Sequence, residues 1–526
     1  MTPRLPPYSL PRYEYRKPPE LAGSVPGEYP VAIAGAGLAG LTAALELGSR
    51  GIRTVLLDED DTVGASGLSS RGICYAKRSL EIFDRFGVAE RVRAKGVTWN
   101  DGEVYRGTER MYRFNLQAEN DQKFPAFVNL QQFYVEEYLV ARLQQTPAVD
   151  LRWKNKVVEV ADGVVLKVET PDGAYDLRCR YLLACDGAHS AVRERIGMRD
   201  EQSELLESVW CIADVRMAGA TDVVRRSYLD NPLNEGGAIW YHQMADGVWR
   251  TDWLITHYPD RDAEATPERA AARLRKLLGA DAQFELIWVG PYRFRKRYLE
   301  RMRAGPVFFL GDAAAQHSPF GARGGNRAIQ DANNLGWKLA LVLQGKAHAD
   351  LLETYHEERH PAARECVEHA TRSAVFIGPE SAGQRLVRDA ILDLAQRHAW
   401  ARAWVNTGRL SVACVYGQSP LNIERGRFLF TTARPGAAAP DGRFGSGYLV
   451  EALGSDFKVA YFGERAEPDA LLIRKGDPLW ARYGVPDEGA TYVFRPDGHV
   501  LARCTGIDGA FARGAMQRVL DYRVQA

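Results

Sequence analysis

The sequence predicts an α/β protein: a layer of mainly parallel strands, a second β-sheet layer interleaved with it in the chain, and a small α/β unit at the C-terminus. Three observations predict it. A strand–glycine turn–helix–strand unit, "PVAIAGAGLAGLTAALELGSRGIRTVLLDED", stands near the start of the chain. Two later apolar strands stop at Asp186-Gly187 and Gly311-Asp312, each running into a helical pattern. Between these two, residues 205–295 are strand-rich and aromatic, with "VWCIADVRM", "GGAIWYHQM" and "GVWRTDWLITHY" separated by turn signals.

The 526 residues are too many for one simple core, so two or three domains are expected. With 68 basic and 67 acidic residues interspersed, the chain lacks the basic surplus that nucleic acid demands. Cys74, Cys179, Cys185, Cys211, Cys366, Cys414 and Cys504 are scattered, with no CxxC pair and no metal-site spacing, and read as reduced thiols in core positions. No metal is expected.

In chain order, residues 1–28 are rich in Pro and Arg and lack the apolar region of a secretory signal, and no later run is long enough to span a bilayer. The expectation is a cytoplasmic protein with an extended N-terminal arm, either disordered or packed along the surface through its tyrosines. Val31 to Ala34 then form a strand, Gly35, Gly37 and Gly40 the turn, Leu41 to Leu47 a helix, and Thr54 to Leu57 the returning strand. "RCRYLLACDGAHSAVRERIG" gives a strand ending at Asp186-Gly187 and a short helix capped by Ser190 and ended by Gly197. After "VFFLGDAAAQHSPFGARGGN", Ile329 to Leu343 read as an amphipathic helix, with helical stretches to about 405. Residues 29–405 thus carry the two interleaved layers, 406–445 read as a linker, and 446–526 form the C-terminal unit, with "ATYVFRPDGHVLARC" as a hairpin turning at Pro496-Asp497-Gly498.

The glycine turn follows an apolar strand, opens a helix, and has Asp58 on the next strand's end, which makes it a Rossmann-type dinucleotide site. Gly35 permits the tight turn, Gly37 lets a pyrophosphate approach the backbone, and Gly40 lets helix and strand pack closely. The helix N-terminus supplies N–H groups and positive potential to the phosphates. Asp58 should accept from the adenosine ribose, and Glu59, Asp60 and Asp61 beside it would repel the extra phosphate of NADP, leaving FAD or NAD.

The three motifs together resemble the fingerprints of the flavoprotein aromatic hydroxylases of the para-hydroxybenzoate hydroxylase type, over residues 30–400, with 3-(3-hydroxyphenyl)propionate hydroxylases nearest in kind. The resemblance implies tightly bound, non-covalent FAD in a Rossmann-type (GR2) domain. It places Asp312 at the ribityl–pyrophosphate link, and the backbone of Gly324, Gly325 and Asn326 at the pyrimidine edge of the flavin. Arg71 and Gln132 match residues that contact the cofactor's middle, while Asp186, Gly187 and Arg193 belong to a motif supporting both FAD and a transiently bound NADH or NADPH. The family has His directly after the Gly-Asp-Ala-Ala run; here the position is Ala315 and His317 follows, expected to be solvated or satisfied. Arg327 replaces a small residue.

The activity implied is that of a single-component NAD(P)H- and O2-consuming monooxygenase, hydroxylating a phenolic compound through a C4a-hydroperoxyflavin in the catabolism of aromatics. Pro319 matches the proline beside the reacting ring, and Tyr241 and His242 are the catalytic candidates. Trp240, Trp249 and Arg250 are the substrate-lining candidates, Arg250 either binding a carboxylate or sitting on the outer face. In an alternating strand Tyr241 and His242 cannot both point inward. The C-terminal unit resembles the thioredoxin-like domain appended to phenol hydroxylases, without CxxC, so a structural or dimer-stabilising role is expected, with a homodimer as the assembly. The alternatives within the fold are a halogenase, whose WxWxIP signature is absent, or a prenyl-chain reductase; outside it, a non-catalytic flavin-binding module.

Overall fold

The computed structural model describes residues 8–23, 27–64, 69–117, 119–162, 164–217, 224–405, 410–429 and 431–524. Its central sheet runs, edge to edge, Arg303–Ala304, Val307–Phe309, Gly173–Ala184, Gly27–Ala34, Thr54–Leu57 and Val149–Arg152. The strands from Val307–Phe309 onward are parallel to their neighbours, and Lys156–Ala161 and Val165–Thr170 extend the sheet antiparallel to the start of Gly173–Ala184. Val31, Ile33, Val55, Leu56, Leu182 and Phe308 are fully buried, as expected of strands covered on both faces. Helix Leu38–Gly48 covers one part, joined by helix Gly324–Leu343, which begins five residues before the expected Ile329 and is buried along nearly its whole length.

Register gathers the three sequence motifs. Ala34 pairs with Ala184, and Ala184 with Phe309, so the glycine turn, the Asp186-Gly187 loop and the Gly311-Asp312 loop leave adjacent strands at the same level of the sheet's C-terminal edge. A ligand crevice outside the carboxyl ends of parallel strands is where nucleotides bind in such sheets.

The second sheet is larger than the expected 205–295. Its order is Ala315–Gln316, Phe284–Leu299, Asp200–Met217, Val248–Leu254, Ile239–Gln243, Arg225–Leu229, Asp101–Arg106 and Glu109–Asn115. The last two strands come from far earlier in the chain, and helices Arg261–Glu264 and Pro267–Leu278 interrupt the stretch read as purely β. Thr266 caps the second of these, with Pro267 at its first position, a helix start the strand-rich reading passed over.

The described part of the N-terminal arm packs along the surface through its tyrosines. Tyr13 stacks on Trp153 at 4.6 Å, Tyr15 donates to Thr170 Oγ1 at 3.2 Å, and Tyr8 packs on Phe133 and donates to the buried Asp214 carboxylate at 3.0 Å. Residues 1–7 and 24–26 of the arm lie outside the described residues.

The third sheet runs Ile423–Arg425, Val500–Thr505, Ala490–Phe494, Lys458–Phe462 and Leu471–Ile473, with helix Gly509–Leu520 following it. Ile423–Arg425 comes from the segment read as a linker, so that segment contributes an edge strand and, through buried Cys414 and Tyr416, core as well; its residues 406–409 lie outside the described ones. All seven cysteines are free, six of them buried. Among the described residues no helix is long and apolar enough to cross a membrane.

Candidate active site

A cleft of about 660 Å³ opens between the C-terminal edge of the central sheet and one face of the second sheet. At the central-sheet end it is lined by Leu38, Arg71, Gln132, Arg193, Asp312, Gly324 and Gly325. Two helices aim uncapped N-termini at this end: Leu38–Gly48 after Gly37, and Gly324–Leu343 after Arg323, neither with a side-chain cap bond. Their first-turn N–H groups are therefore left for a ligand.

The glycines of the turn divide by what they make room for. Gly35 has φ +100°, and a Cβ there would lie 2.5 Å from the Cys185 carbonyl oxygen. A Cβ on Gly40 would lie 1.9 Å from the Gly35 carbonyl oxygen, so Gly40 serves the fold's own packing. A Cβ on Gly37 would meet nothing nearer than a Glu136 oxygen at 3.9 Å. The protein itself leaves that space open, which fits a diphosphate lying against the turn. Asp58 reaches back across the turn, accepting from the Ala36 and Asp60 amides; burial pushes its carboxyl up to about 6 against those bonds.

Arg71 stands exposed at the cleft with φ +54°, and Gln132 accepts from the Gly72 amide at 3.0 Å while donating to Glu136 at 2.7 Å. Asp186 accepts from the Val192 amide at 3.0 Å, with Gly187 turning at φ +77°. Arg193 is spent on the Ala313 and Ala188 carbonyls, at 3.1 and 2.9 Å, which locks the second motif to the third. Asp312 is exposed and lines the cleft. The Asn326 side chain turns away: its Oδ1 accepts from the Ala76 amide and Ser79, and its Nδ2 donates to the Cys74 and Ala322 carbonyls. It ties the helix start to strand Cys74–Ala76, while Gly324 and Gly325 line the cleft.

Arg327 has a plain structural account. Fully buried, it bonds Asp331 at 2.7 Å and the Ala315 carbonyl at 2.7 Å, and Asp331 in turn accepts from the Gly311 amide at 3.1 Å and from Arg359 at 2.7 Å. The loop carrying Asp312 is thus held from below by a buried charge network.

At the other end the cleft wall is one face of the second sheet. Trp240, His242, Arg250 and Asp252 point in, together with Trp210, Ile212, Trp288, Tyr292 and Phe294 from neighbouring strands; Pro319 lines the cleft too, and Phe320 packs on Trp210 and Trp240. Tyr241 and Trp249 do not line the cleft. They share the opposite face, their rings 5.7 Å apart, with the Tyr241 hydroxyl 3.3 Å from that of Tyr228. The correction follows from pairing: Trp240 lies opposite Asp252 and His242 opposite Arg250, so even-numbered residues of both strands face inward. Arg250 is engaged already, by Asp252 at 3.2 Å and by the Arg71 carbonyl, and is not available for a carboxylate.

His242 lies 3.8 Å (Nε2) from Asp252 Oδ2, and its Nδ1 is buried without a hydrogen-bond partner. Burial, Arg225 and Arg250 all pull its basicity well below that of a free imidazole, so it is neutral. His317, expected to be solvated or satisfied, lines the cleft instead: Nδ1 lies 2.8 Å from the Ser318 carbonyl and Nε2 is buried without a partner. Burial and Arg327 bring it down to about 3. Sequence reasoning missed Arg225, Asp252, Trp210 and Phe320. The alternation around Arg250, two residues before it on strand Val248–Leu254, was a usable signal for Asp252, whereas Arg225 had none until its strand was paired.

The folded geometry defines a class: a dinucleotide-binding α/β protein whose cofactor crevice opens onto an aromatic-walled substrate chamber. Comparison places the chain within that class. Residues 28–370 match the FAD binding domain family, and the chain belongs to it; the protein binds FAD. It is 30% identical over 381 residues to the 12-dehydrotetracycline 5-monooxygenase/anhydrotetracycline 6-monooxygenase of Streptomyces rimosus, covering 70% of this chain and 73% of that one. It is 29% identical over 376 residues to the 3-(3-hydroxy-phenyl)propionate/3-hydroxycinnamic acid hydroxylase of Mycolicibacterium smegmatis, covering 70% and 64%. The solved flavin-dependent monooxygenase PieE, in complex with FAD and substrate, matches with a TM-score of 0.77 over 94% of this chain and all of that one, at 22% identity.

Proposed function

We propose that the protein is a single-component, NAD(P)H- and O2-dependent FAD monooxygenase that hydroxylates a phenolic aromatic compound. The observation that carries this is the joining, in one cleft, of the glycine-turn and Gly324–Gly325 helix ends to a chamber walled by Trp210, Trp240, Trp288, Phe294 and Phe320. FAD, when bound, supplies the redox and oxygen chemistry. The chain's own residues bind, orient and dry the substrate. The aromatic walls hold a flat ring, and Pro319 lines the same cleft. A phenol lying against His242 would meet a neutral imidazole, whose tautomer with the proton on Nε2 is favoured by Asp252.

Arg193, already anchored to two carbonyls, shapes the loop Ala188–His189 at the cleft mouth, where a visiting nicotinamide nucleotide would dock. The C-terminal unit is read as thioredoxin-like: its antiparallel Val500–Thr505, Ala490–Phe494 and Lys458–Phe462 strands, with Leu471–Ile473 parallel at the edge, support that order. The reading includes a cytoplasmic location and homodimer assembly, to which exposed Leu386, Val387, Trp400 and Trp404 would contribute; sedimentation velocity checks the latter.

The test follows NADH and NADPH oxidation with and without 3-(3-hydroxyphenyl)propionate and a wider panel of phenols, with products read by mass spectrometry. Stimulated oxidation with one added oxygen atom is expected for at least one phenol. No stimulation across the panel with either nucleotide would sink the hydroxylase reading while leaving the flavoprotein fold intact.

A further inference from the structure

Arg225 opens strand Arg225–Leu229 on the inward face of the second sheet. Arg226 pairs with Tyr241 and His242 pairs with Arg250, so Arg225, His242 and Arg250 stand side by side on three neighbouring strands, all facing the cleft. The two arginines differ in one respect. Arg250 is neutralised by Asp252 and bonded to the Arg71 carbonyl. The Arg225 side chain makes no hydrogen bond or ion pair among the described residues; its Nε is fully buried without a partner, and its guanidinium lies over the face of Trp99 at 5.6 Å. With His242 neutral and Asp252 committed to Arg250, the Arg225 guanidinium has no carboxylate within ion-pair distance among the described residues.

A guanidinium is charged at every working pH, and leaving one half-buried and unpaired is costly. An aromatic wall with one such cation is a receptor for a flat molecule bearing one permanent negative charge. A neutral phenol does not bring that charge with it; a carboxylate does, and its two oxygens match the guanidinium fork. We infer that the aromatic substrate of this cleft is a carboxylic acid whose carboxylate is held by Arg225, not by Arg250. The inference rests on the aromatic-hydroxylase reading above and narrows its substrate class. The hydroxyl to be activated would then lie toward His242, so acid and phenol are recognised by adjacent side chains of one sheet face.

The experiment is an equilibrium titration of the FAD-loaded protein, followed by the change in flavin absorbance and needing no turnover. The probes are 3-(3-hydroxyphenyl)propionate, 3-hydroxybenzoate and 3-hydroxy-2-naphthoate, each beside its methyl ester. The acid of the best-fitting pair is expected to bind on the order of 10- to 100-fold more tightly than the ester. Arg225→Gln should erase that difference by weakening the acid alone, and Arg225→Lys should restore part of it. Flavin content and melting temperature are measured on both variants; if the Gln variant fails to hold FAD, the Lys variant is judged by the same acid-to-ester ratio. Esters binding as tightly as acids throughout, no acid binding at all, or an unchanged ratio in the variants would overturn the inference. Absence of hydroxylated product would count against the monooxygenase reading and leave the titration result standing.

Discussion

Glu358 and Arg495 meet as a fully buried bidentate pair, both guanidinium Nη atoms on the one carboxylate at 2.6 and 2.9 Å. Glu358 belongs to helix Glu353–Ile377 of the FAD-binding part, Arg495 to the hairpin of the C-terminal unit. Lys338 adds a third contact to the same carboxylate at 2.7 Å, and Asp497 pairs with Arg495 at 2.6 Å. The two units are therefore joined by charges that water does not reach. Arg495→Met alone should destabilise the protein by about 3–5 kcal/mol, because it strands Glu358 and Asp497 without their common partner. Denaturant unfolding monitored at both units would show it, and a change below 1 kcal/mol would refute the claim.

The same pair sets an acid limit. Burial alone would raise the Glu358 carboxyl, but Arg495 and Lys338 outweigh it and hold it well below the usual carboxylate range; Arg495 and His499 do the same for Asp497. A depressed folded-state value gives stability that is complete above the unfolded carboxylate range, roughly pH 4–4.5, and is lost as pH falls below it. Melting temperature should be insensitive to these groups from pH 7 to 5 and drop below that. In Glu358→Gln the gap from wild type should narrow as pH falls; a gap constant from pH 7 to 3 would contradict this.

Two glycines three positions apart should fail differently. Gly40→Ala places its Cβ against the Gly35 carbonyl and should cost 3 kcal/mol or more, seen as a large fall in melting temperature. Gly37→Leu meets open space in the protein and should leave a folded, colourless chain that no longer binds FAD. If Gly37→Leu remains yellow, the diphosphate does not lie against this turn.

His242 is neutral before substrate arrives, so the pH profile of product formation should show no titration of this residue between about pH 6 and 8. His242→Gln should lower product formation on the order of 100-fold or more while substrate-free flavin reduction continues. A variant with unchanged product yield would remove His242 from the chemistry.

Tyr8 ties the N-terminal arm to Asp214, and the same carboxylate accepts from the Ser70 amide and hydroxyl, each at 2.9 Å, just before Arg71. Tyr8→Phe takes away one bond to a buried charge, about 1–3 kcal/mol. Faster FAD release in stopped-flow displacement is the expected sign, with Tyr13→Phe, whose ring stack survives, as the unaffected control.

Much of the cofactor end was readable from the chain because its signals are local. The turn glycines, the Thr54–Leu57 strand and the Ser190 cap each depend on residues within a few positions of one another. The substrate end was not, because inward and outward positions depend on pairing between strands far apart in sequence. That is why Tyr241 and Trp249 were placed in the chamber and Arg225 was not. Arg250 was read as free because its partners, Asp252 and the Arg71 carbonyl, become neighbours only through tertiary structure. The Pro496-Asp497-Gly498 turn was legible as a hairpin turn, but its burial was not: Asp497 is fully buried, bonded to Trp337 and Arg495, and its carbonyl accepts from Arg78, distant in the chain.

The alternation of the chamber wall also bears on how this scaffold could change its diet. Inward residues at 225, 240, 242, 250 and 252 line the cleft, while their outward neighbours at 226, 228, 241 and 249 knit the wall to the rest of the molecule. Recognition and architecture are thus written on alternate letters of the same strands. A lineage, or a laboratory library, can vary the first set by single steps while the second keeps the wall standing.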